Sequence, residues 1–82
     1  MFFVYILQSG LDASYYIGYT SNLERRLEEH NSGKTRYTSK KLPWELKYYE
    51  AFESKSEAIK RELFLKKQKN RKFYERLICS VD

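Results

Sequence analysis

With 82 residues the chain has the length of one small domain, and we expect residues 1–82 to form a single unit with a small core. Cys79 is the only cysteine, which excludes an intramolecular disulfide and is typical of a reducing compartment, so we expect a cytoplasmic protein. The apolar run at residues 1–7 lacks the basic start and the cleavage site of a signal sequence and is too short to cross a bilayer. We therefore expect no membrane partner.

Positive charge is in excess and clustered. Sixteen Lys and Arg against eleven Asp and Glu give a net charge of +5, concentrated in residues 34–41 and 60–72. Clustered positive charge favours a polyanion, because each neutralised phosphate releases condensed counterions. The alternative is a solvated surface that only keeps the protein in solution. We predict nucleic-acid contacts from five of these side chains: Lys34, Arg36, Lys40, Lys41 and Lys66.

The first two predicted elements form a hairpin. Residues 2–7 and 15–20 are rich in apolar, aromatic and β-branched types, and the residues between them are typical of a turn. A hairpin centred between residues 10 and 11 places Tyr5 directly opposite Tyr16, with both rings on one face. Gly18 lies on that face too, and its missing side chain leaves room for another group to approach the backbone.

A helix is predicted next, beginning at Ser21 or Asn22 as its cap and ending at Gly33, a natural left-handed terminator. Arg26 and His30 lie one turn apart on this helix, so their side chains are neighbours beside its buried stripe. Their simplest roles are structural. Arg26 can pair with a surface carboxylate, and His30 can act as a cation at the helix C-terminus.

The rest of the chain predicts a third strand at about residues 45–52 and two more helices. The Ser-x-x-Glu pattern at residues 54–57 begins one helix that runs to about residue 67, and the last helix covers about 71–79. Glu62 shares a helical face with two apolar residues, and its basic neighbours are expected to face elsewhere. A carboxylate at the edge of an apolar stripe needs a compensating cation, which is either a metal ion or a lysine.

Five side chains form a set suited to phosphodiester hydrolysis: Tyr5, Tyr16, Arg26, His30 and Glu62. The attacking water needs a proton acceptor, the pentavalent phosphate needs a cation, and a hard metal ion needs an oxygen ligand. A phenol has a pKa near 10, so a tyrosine base requires a neighbouring charge to lower its pKa. His30 titrates closer to neutrality and is the alternative base or relay.

The order of these residues resembles the GIY-YIG endonuclease superfamily, and in particular its small stand-alone members. The resemblance covers nearly the whole chain through its motifs, which are Phe3-Val4-Tyr5, Tyr15-Tyr16-Ile17-Gly18-Tyr19-Thr20, residues 22–27, His30-Asn31, Gly33 and residues 58–66. The first motif lacks the family's glycine and isoleucine. Asn70 is the only asparagine after Glu62, and so the only candidate for a distal asparagine that several members use.

The resemblance implies an α+β fold with a small three-stranded antiparallel sheet flanked by about three α-helices. It also implies roles for the matching residues. Tyr5 and Tyr16 match the motif tyrosines, Arg26 the arginine at the scissile phosphate, and His30 an assisting position. Glu62 matches the carboxylate that binds a single divalent metal, Mg²⁺ or Mn²⁺.

These observations predict a magnesium-dependent endonuclease that hydrolyses DNA phosphodiester bonds, structure-selective or low in sequence specificity, with DNA repair as a setting. RNA is an alternative substrate. A second hypothesis is a nucleic-acid-binding module of nuclease fold that is inactive alone, or that acts with a protein partner or as a homo-oligomer. A purely structural or protein-interaction domain is a third hypothesis, but it leaves the clustered charge unexplained.

Overall fold

The structure, a computed structural model, describes residues 1–80 of the chain. It is an α+β fold, as predicted, with a three-stranded antiparallel sheet in the order β2-β1-β3. The elements in chain order are β1 (Phe2–Ser9), β2 (Tyr15–Thr20), α1 (Leu23–Asn31), a short 3₁₀ helix (Thr38–Lys40), β3 (Trp44–Phe52), α2 (Lys55–Gln68) and α3 (Arg71–Cys79). Within residues 1–80, no helix has the length and apolar composition needed to cross a membrane.

Helices cover both faces of the sheet, which explains the continuous apolar sequence of the central strand. Side chains alternate between the faces of a strand, so β1 supplies a core to each side. On one face Val4 and Ile6 pack with residues of α2 and α3, namely Ala58, Leu65 and Tyr74. On the other face Tyr5 and Leu7 pack with Trp44 and with Leu23 and Leu27 of α1.

The register of the β1–β2 hairpin differs from the predicted one by two residues. Tyr5 pairs with Gly18, and Leu7 pairs with Tyr16. The turn is centred further along the chain because Asp12 accepts hydrogen bonds from the backbone N–H (3.0 Å) and hydroxyl (2.7 Å) of Ser14. A shift by two residues keeps every side chain on its face, so Tyr5 and Tyr16 still share one, with ring centroids 6.4 Å apart.

The helix ends follow the chemistry expected of their capping residues. Asn22, and not Ser21, caps α1 by accepting a hydrogen bond from the Arg25 N–H at 3.1 Å, and Gly33 follows the helix with φ of 80°. Ser54 caps α2 by accepting from the Glu57 N–H at 3.2 Å.

Asn70 caps α3. Its side-chain oxygen accepts hydrogen bonds from the backbone N–H groups of Lys72 (3.0 Å) and Phe73 (3.4 Å). The oxygen of this asparagine is therefore engaged at the start of a helix, which gives Asn70 a structural explanation.

Candidate active site

A pocket of about 460 Å³ opens at the β2 edge of the sheet, where side chains from the two helical layers meet. Four of the five predicted catalytic residues line it, and they are Tyr5, Tyr16, Arg26 and Glu62. The remaining lining residues are Gly18, Tyr19, Thr20, Ser21, Asn22, Arg25 and Glu29. His30 is fully buried behind the pocket wall and is reached through Tyr5.

Gly18 gives the Tyr5 side chain its space. A Cβ atom at Gly18 would lie 2.6 Å from the Tyr5 hydroxyl oxygen and 2.8 Å from Cζ, closer than real Cβ contacts allow. Because Gly18 is the direct cross-strand partner of Tyr5, any side chain there would displace the phenol. The glycine therefore allows the Tyr5 hydroxyl to lie against the backbone of the edge strand.

Tyr5, His30 and Thr38 form a buried hydrogen-bonded chain. The Tyr5 hydroxyl lies 3.0 Å from His30 Nε2, and Thr38 Oγ1 lies 2.8 Å from His30 Nδ1. The Thr38 hydroxyl has the carbonyl of Thr35 as an acceptor at 3.4 Å, which leaves its oxygen free to accept the proton of His30 Nδ1. This arrangement favours the Nδ1–H tautomer, in which Nε2 accepts the Tyr5 proton.

Burial keeps both partners neutral. Burial, together with the positive charge of Arg26, lowers the pKa of His30 to about 4. Burial also raises the pKa of the Tyr5 phenol to about 12, although contact with Arg26 opposes part of that rise. Arg26 alone therefore does not bring the pKa of Tyr5 below its ordinary value, because the loss of hydration outweighs the nearby cation.

Arg26 remains a cation at any ordinary pH, since its contacts with Tyr5 and Glu29 raise its pKa. Its Nη1 lies 3.0 Å from Oε1 of Glu29, which is the surface pairing considered from the sequence. Glu29 is also approached by Arg25 Nε at 3.4 Å. A guanidinium has five N–H donors, so the Glu29 contact leaves Arg26 with donors for a second anion in the pocket.

Glu62 is buried with Ala58 and Leu65 on one face of α2, as the helical spacing predicts. Its carboxylate lies 3.5 Å from Nζ of Lys66, one turn later. The expectation that the basic neighbours of Glu62 face elsewhere is therefore wrong for Lys66. Residues four apart lie on the same face of a helix, one turn from each other, so these two side chains are neighbours.

Glu62 is suited to a magnesium site in which the protein supplies only one or two of the ligands. Within residues 1–80 there is no group of three or more His, Cys, Asp and Glu side chains that could enclose a metal ion. Mg²⁺ commonly binds through one or two carboxylates, keeping water and substrate oxygens as its other ligands. A carboxylate that is 9% exposed and opens on a pocket large enough to admit substrate oxygens and water meets that requirement.

The five predicted phosphate contacts are dispersed over the surface. Lys34, Arg36 and Lys40 are exposed, whereas Lys41 pairs with Asp12 at 3.2 Å and Lys66 pairs with Glu62. Of these five described side chains, none lines the pocket that contains Tyr5 and Arg26. The structure therefore places basic charge around the pocket and not within it.

Thr38 and Trp44 are site residues that the sequence did not reveal. Trp44 packs beside Tyr16 with ring centroids 6.2 Å apart, and its Nε1 donates to the Thr38 carbonyl at 2.8 Å. Asn31 then holds the Trp44 backbone through both side-chain atoms, at 2.6 and 2.9 Å. Only the tertiary fold brings Thr38 to His30, so a threonine in a basic loop carried no recognisable signal.

The fold is of nuclease type. Residues 1–75 match the family model described as the GIY-YIG catalytic domain, and the chain belongs to that family. The resemblance seen in the sequence is thereby confirmed.

Two streptococcal relatives and one solved structure support this assignment. The chain is 48% identical over 68 residues to a UPF0213 protein of Streptococcus pneumoniae serotype 4, covering 82% of this chain and 68% of the relative. It is 44% identical over 70 residues to a UPF0213 protein of Streptococcus pyogenes serotype M3, covering 84% and 75%. It is also similar to the solution NMR structure of a UPF0213 protein from Bacillus halodurans, with 38% identity, a TM-score of 0.61, and coverage of 99% of this chain and 86% of that one.

Proposed function

We propose that this protein is a divalent-metal-dependent endonuclease that hydrolyses DNA phosphodiester bonds, with Mg²⁺ or Mn²⁺ as its cofactor. One observation carries the proposal. Tyr5, Arg26 and Glu62 open on the same pocket, and a buried neutral histidine is hydrogen-bonded to the tyrosine behind them. A proton acceptor, a cation for phosphate and a carboxylate for a metal ion are thus brought together from three separate elements.

In this proposal Tyr5 and His30 remove the proton of the attacking water as a pair. The water passes its proton to the Tyr5 oxygen while the phenolic proton moves to His30 Nε2, so a free phenolate does not accumulate. The raised pKa of Tyr5 argues against a tyrosine that is ionised beforehand. The arrangement favours Tyr5 over Tyr16 as the group that meets the water, because His30 Nε2 is the partner of Tyr5.

Substrate binding would itself prepare His30 for this role. The charge of Arg26 is one of the two causes that lower the pKa of His30. A phosphate bound to Arg26 neutralises that charge and adds its own negative potential, so the pKa of His30 rises when the substrate is in place. Arg26 would also stabilise the negative charge that develops on the phosphoryl oxygens.

Glu62 would hold the metal ion. When bound, the metal would polarise the phosphate and stabilise the leaving oxygen. Glu62 must exchange its contact with Lys66 for the metal, and the 3.5 Å separation makes this a loose pair to exchange. Tyr16 contacts the His30 ring edge-on, with centroids 4.9 Å apart, and would hold the imidazole in line with Tyr5.

The second candidate function is a nucleic-acid-binding module of the same fold that is inactive alone, or that requires a protein partner or a second copy. The observation that favours it is charge compensation. Arg26 pairs with Glu29, and Glu62 pairs with Lys66. A site whose charges are already paired offers less to a metal ion and a scissile phosphate, whereas exposed cations outside the pocket can still contact a phosphate backbone.

One assay separates the two candidates. Purified protein is incubated with duplex, single-stranded, flapped and branched DNA, and with matched RNA, in Mg²⁺, in Mn²⁺ and in chelator. Metal-dependent cleavage that is lost in Arg26→Ala, while binding of uncut DNA persists, supports the endonuclease. Binding without cleavage of any of these substrates under any metal condition favours the binding module.

A further inference from the structure

A second concave surface lies beside the catalytic pocket, along the same edge strand. This surface, here called the tyrosine groove, has a volume of about 450 Å³. Four tyrosines and two lysines line it, namely Tyr15, Tyr16, Tyr37, Tyr74, Lys66 and Lys69. Tyr16 belongs to both surfaces, so the groove continues directly from the pocket.

The groove follows the direction of β2 and α2 away from the proposed metal ligand. On β2, Tyr16 lies two residues before Gly18, a separation of roughly 7 Å along a strand. On α2, Lys66 lies four residues beyond Glu62, or roughly 6 Å along the helix axis, and Lys69 is the residue that directly follows the helix. The two elements therefore lead from the pocket to the groove over distances that neighbouring nucleotides of one strand can span.

The tyrosines differ in what they can offer to a ligand. The Tyr74 hydroxyl already donates to the Leu65 carbonyl at 2.7 Å, and the guanidinium of Arg71 lies 5.0 Å from the Tyr15 ring. Tyr37 is 59% exposed; it lies against Tyr16 with ring centroids 5.9 Å apart, and Lys41 Nζ lies 5.8 Å from its ring centroid. Tyr37 thus presents a large aromatic surface to solvent at the rim of the groove.

Aromatic rings combined with cations are the features that bind unpaired nucleotides. Bases stack on aromatic side chains, and lysines neutralise the phosphates between them. Bases inside a duplex are already stacked on each other and do not offer their faces.

We infer that the tyrosine groove binds an unpaired nucleotide of the strand whose scissile phosphate lies at Arg26. The base stacks on Tyr37, and Lys66 and Lys69 contact the adjoining phosphates. This inference rests on the proposed nuclease function and narrows its substrate to nucleic acid that is single-stranded, or unpaired, beside the cleaved bond. The shared chemistry of stacked base and phosphate admits both DNA and RNA.

The test measures binding in chelator, so that metal-dependent cleavage does not interfere. Fluorescence anisotropy of labelled oligonucleotides is recorded for single-stranded DNA, single-stranded RNA of the same sequence, and the DNA duplex. Tyr37→Ala is compared with Tyr37→Phe, which keeps the ring, and with Tyr49→Ala. Tyr49 is a matched control because it is 54% exposed but lies on β3, against Phe3 and leucines instead of lysines.

We expect Tyr37→Ala to weaken binding of a single strand by roughly 5- to 150-fold, which is the contribution of one base–aromatic stack. Binding of the duplex should change by less than about twofold, because its bases do not reach Tyr37. Tyr37→Phe and Tyr49→Ala should bind both as the wild type does. The nucleic acid, DNA or RNA, whose single-strand affinity falls more in Tyr37→Ala is the one that the groove prefers.

A charge pair of variants gives an independent measurement. Lys69→Gln removes a lysine of the groove, and Lys60→Gln removes an exposed lysine of α2 that does not line the groove. Lys69→Gln should lower the magnitude of the log–log salt slope for single-strand binding by about 0.7, the value for one phosphate contact, and Lys60→Gln should leave it unchanged.

Three results would overturn the inference: wild-type affinity of Tyr37→Ala for single strands, an equal loss on duplex and single strand, or an equal loss in Tyr49→Ala. Failure of the nuclease proposal looks different. If single strands bind through Tyr37 but no substrate is cut in Mg²⁺ or Mn²⁺, the result supports nucleotide binding in the tyrosine groove and contradicts the nuclease function. If DNA is cut but Tyr37→Ala binds single strands as the wild type does, the result supports the nuclease function and contradicts nucleotide binding in the tyrosine groove.

Discussion

The Tyr5 hydroxyl lies 3.0 Å from His30 Nε2, and both side chains are buried. This contact joins the first strand to the first helix across the sheet face that carries the candidate active site. Because burial raises the pKa of the phenol and lowers the pKa of the imidazole, the pair is neutral at rest. The hydrogen bond therefore provides a route for a proton without a standing charge in the core.

Thr38 should control the proton position on His30. Thr38→Val removes the acceptor of the Nδ1 proton and should cost roughly 1–3 kcal/mol of stability, because a buried donor loses its partner. The imidazole should then shift from the Nδ1–H toward the Nε2–H tautomer, and cleavage should slow. His30 is the only histidine, so its ¹⁵N chemical shifts report the tautomer without ambiguity. Thr38→Ser should restore both tautomer and rate, and an unchanged tautomer in Thr38→Val would contradict this role.

The lowered pKa of His30 should make the stability of the fold depend on pH. Its pKa falls from 6.5 to about 4 on folding, so between these values the unfolded chain binds more protons than the folded one. Stability should therefore rise with pH through this window and lose up to about 3 kcal/mol on acidification from above 6.5 to below 4. Denaturant unfolding of wild type and His30→Gln at several pH values measures this. The variant should show a shallower dependence, and parallel curves would contradict the prediction.

Gly18→Ala should inactivate the site by moving Tyr5. The new Cβ would lie 2.6 Å from the Tyr5 hydroxyl, so the ring must shift and its hydrogen bond to His30 must weaken. We expect a loss of roughly 1–3 kcal/mol of stability, as for other overpacked sites, together with a loss of cleavage. Gly33→Ala is the matched control. It strains a residue with φ of 80° that does not line the pocket, so it should destabilise the protein while activity at low temperature persists.

Local chemistry explains what could be predicted from the sequence. The strands and helices follow from alternation, apolar spacing and capping residues such as Asn22 and Ser54, all of which act within a few residues. The hairpin register was missed because the Asp12–Ser14 hydrogen bonds move the turn. Thr38 was missed for a different reason, since its role depends on a contact with a helix eight residues earlier in the chain. The direction of the Tyr5 pKa shift likewise depends on burial, which a motif does not encode.

Substitutions of Glu62 and Lys66 should have opposite effects on metal-dependent cleavage. Glu62→Gln should keep the fold and the affinity for DNA but lose the proposed ligand, so metal-dependent cleavage should fall by roughly a thousandfold or more. Lys66→Gln removes the cation that lies 3.5 Å from the carboxylate, so cleavage should saturate at a lower Mg²⁺ concentration than in the wild type. Initial rates over a Mg²⁺ titration measure both effects, on the substrate that the wild type cuts best and with DNA affinity recorded in chelator. If Glu62→Gln cleaves at the wild-type rate, Glu62 does not hold the metal, and the binding-module function gains support.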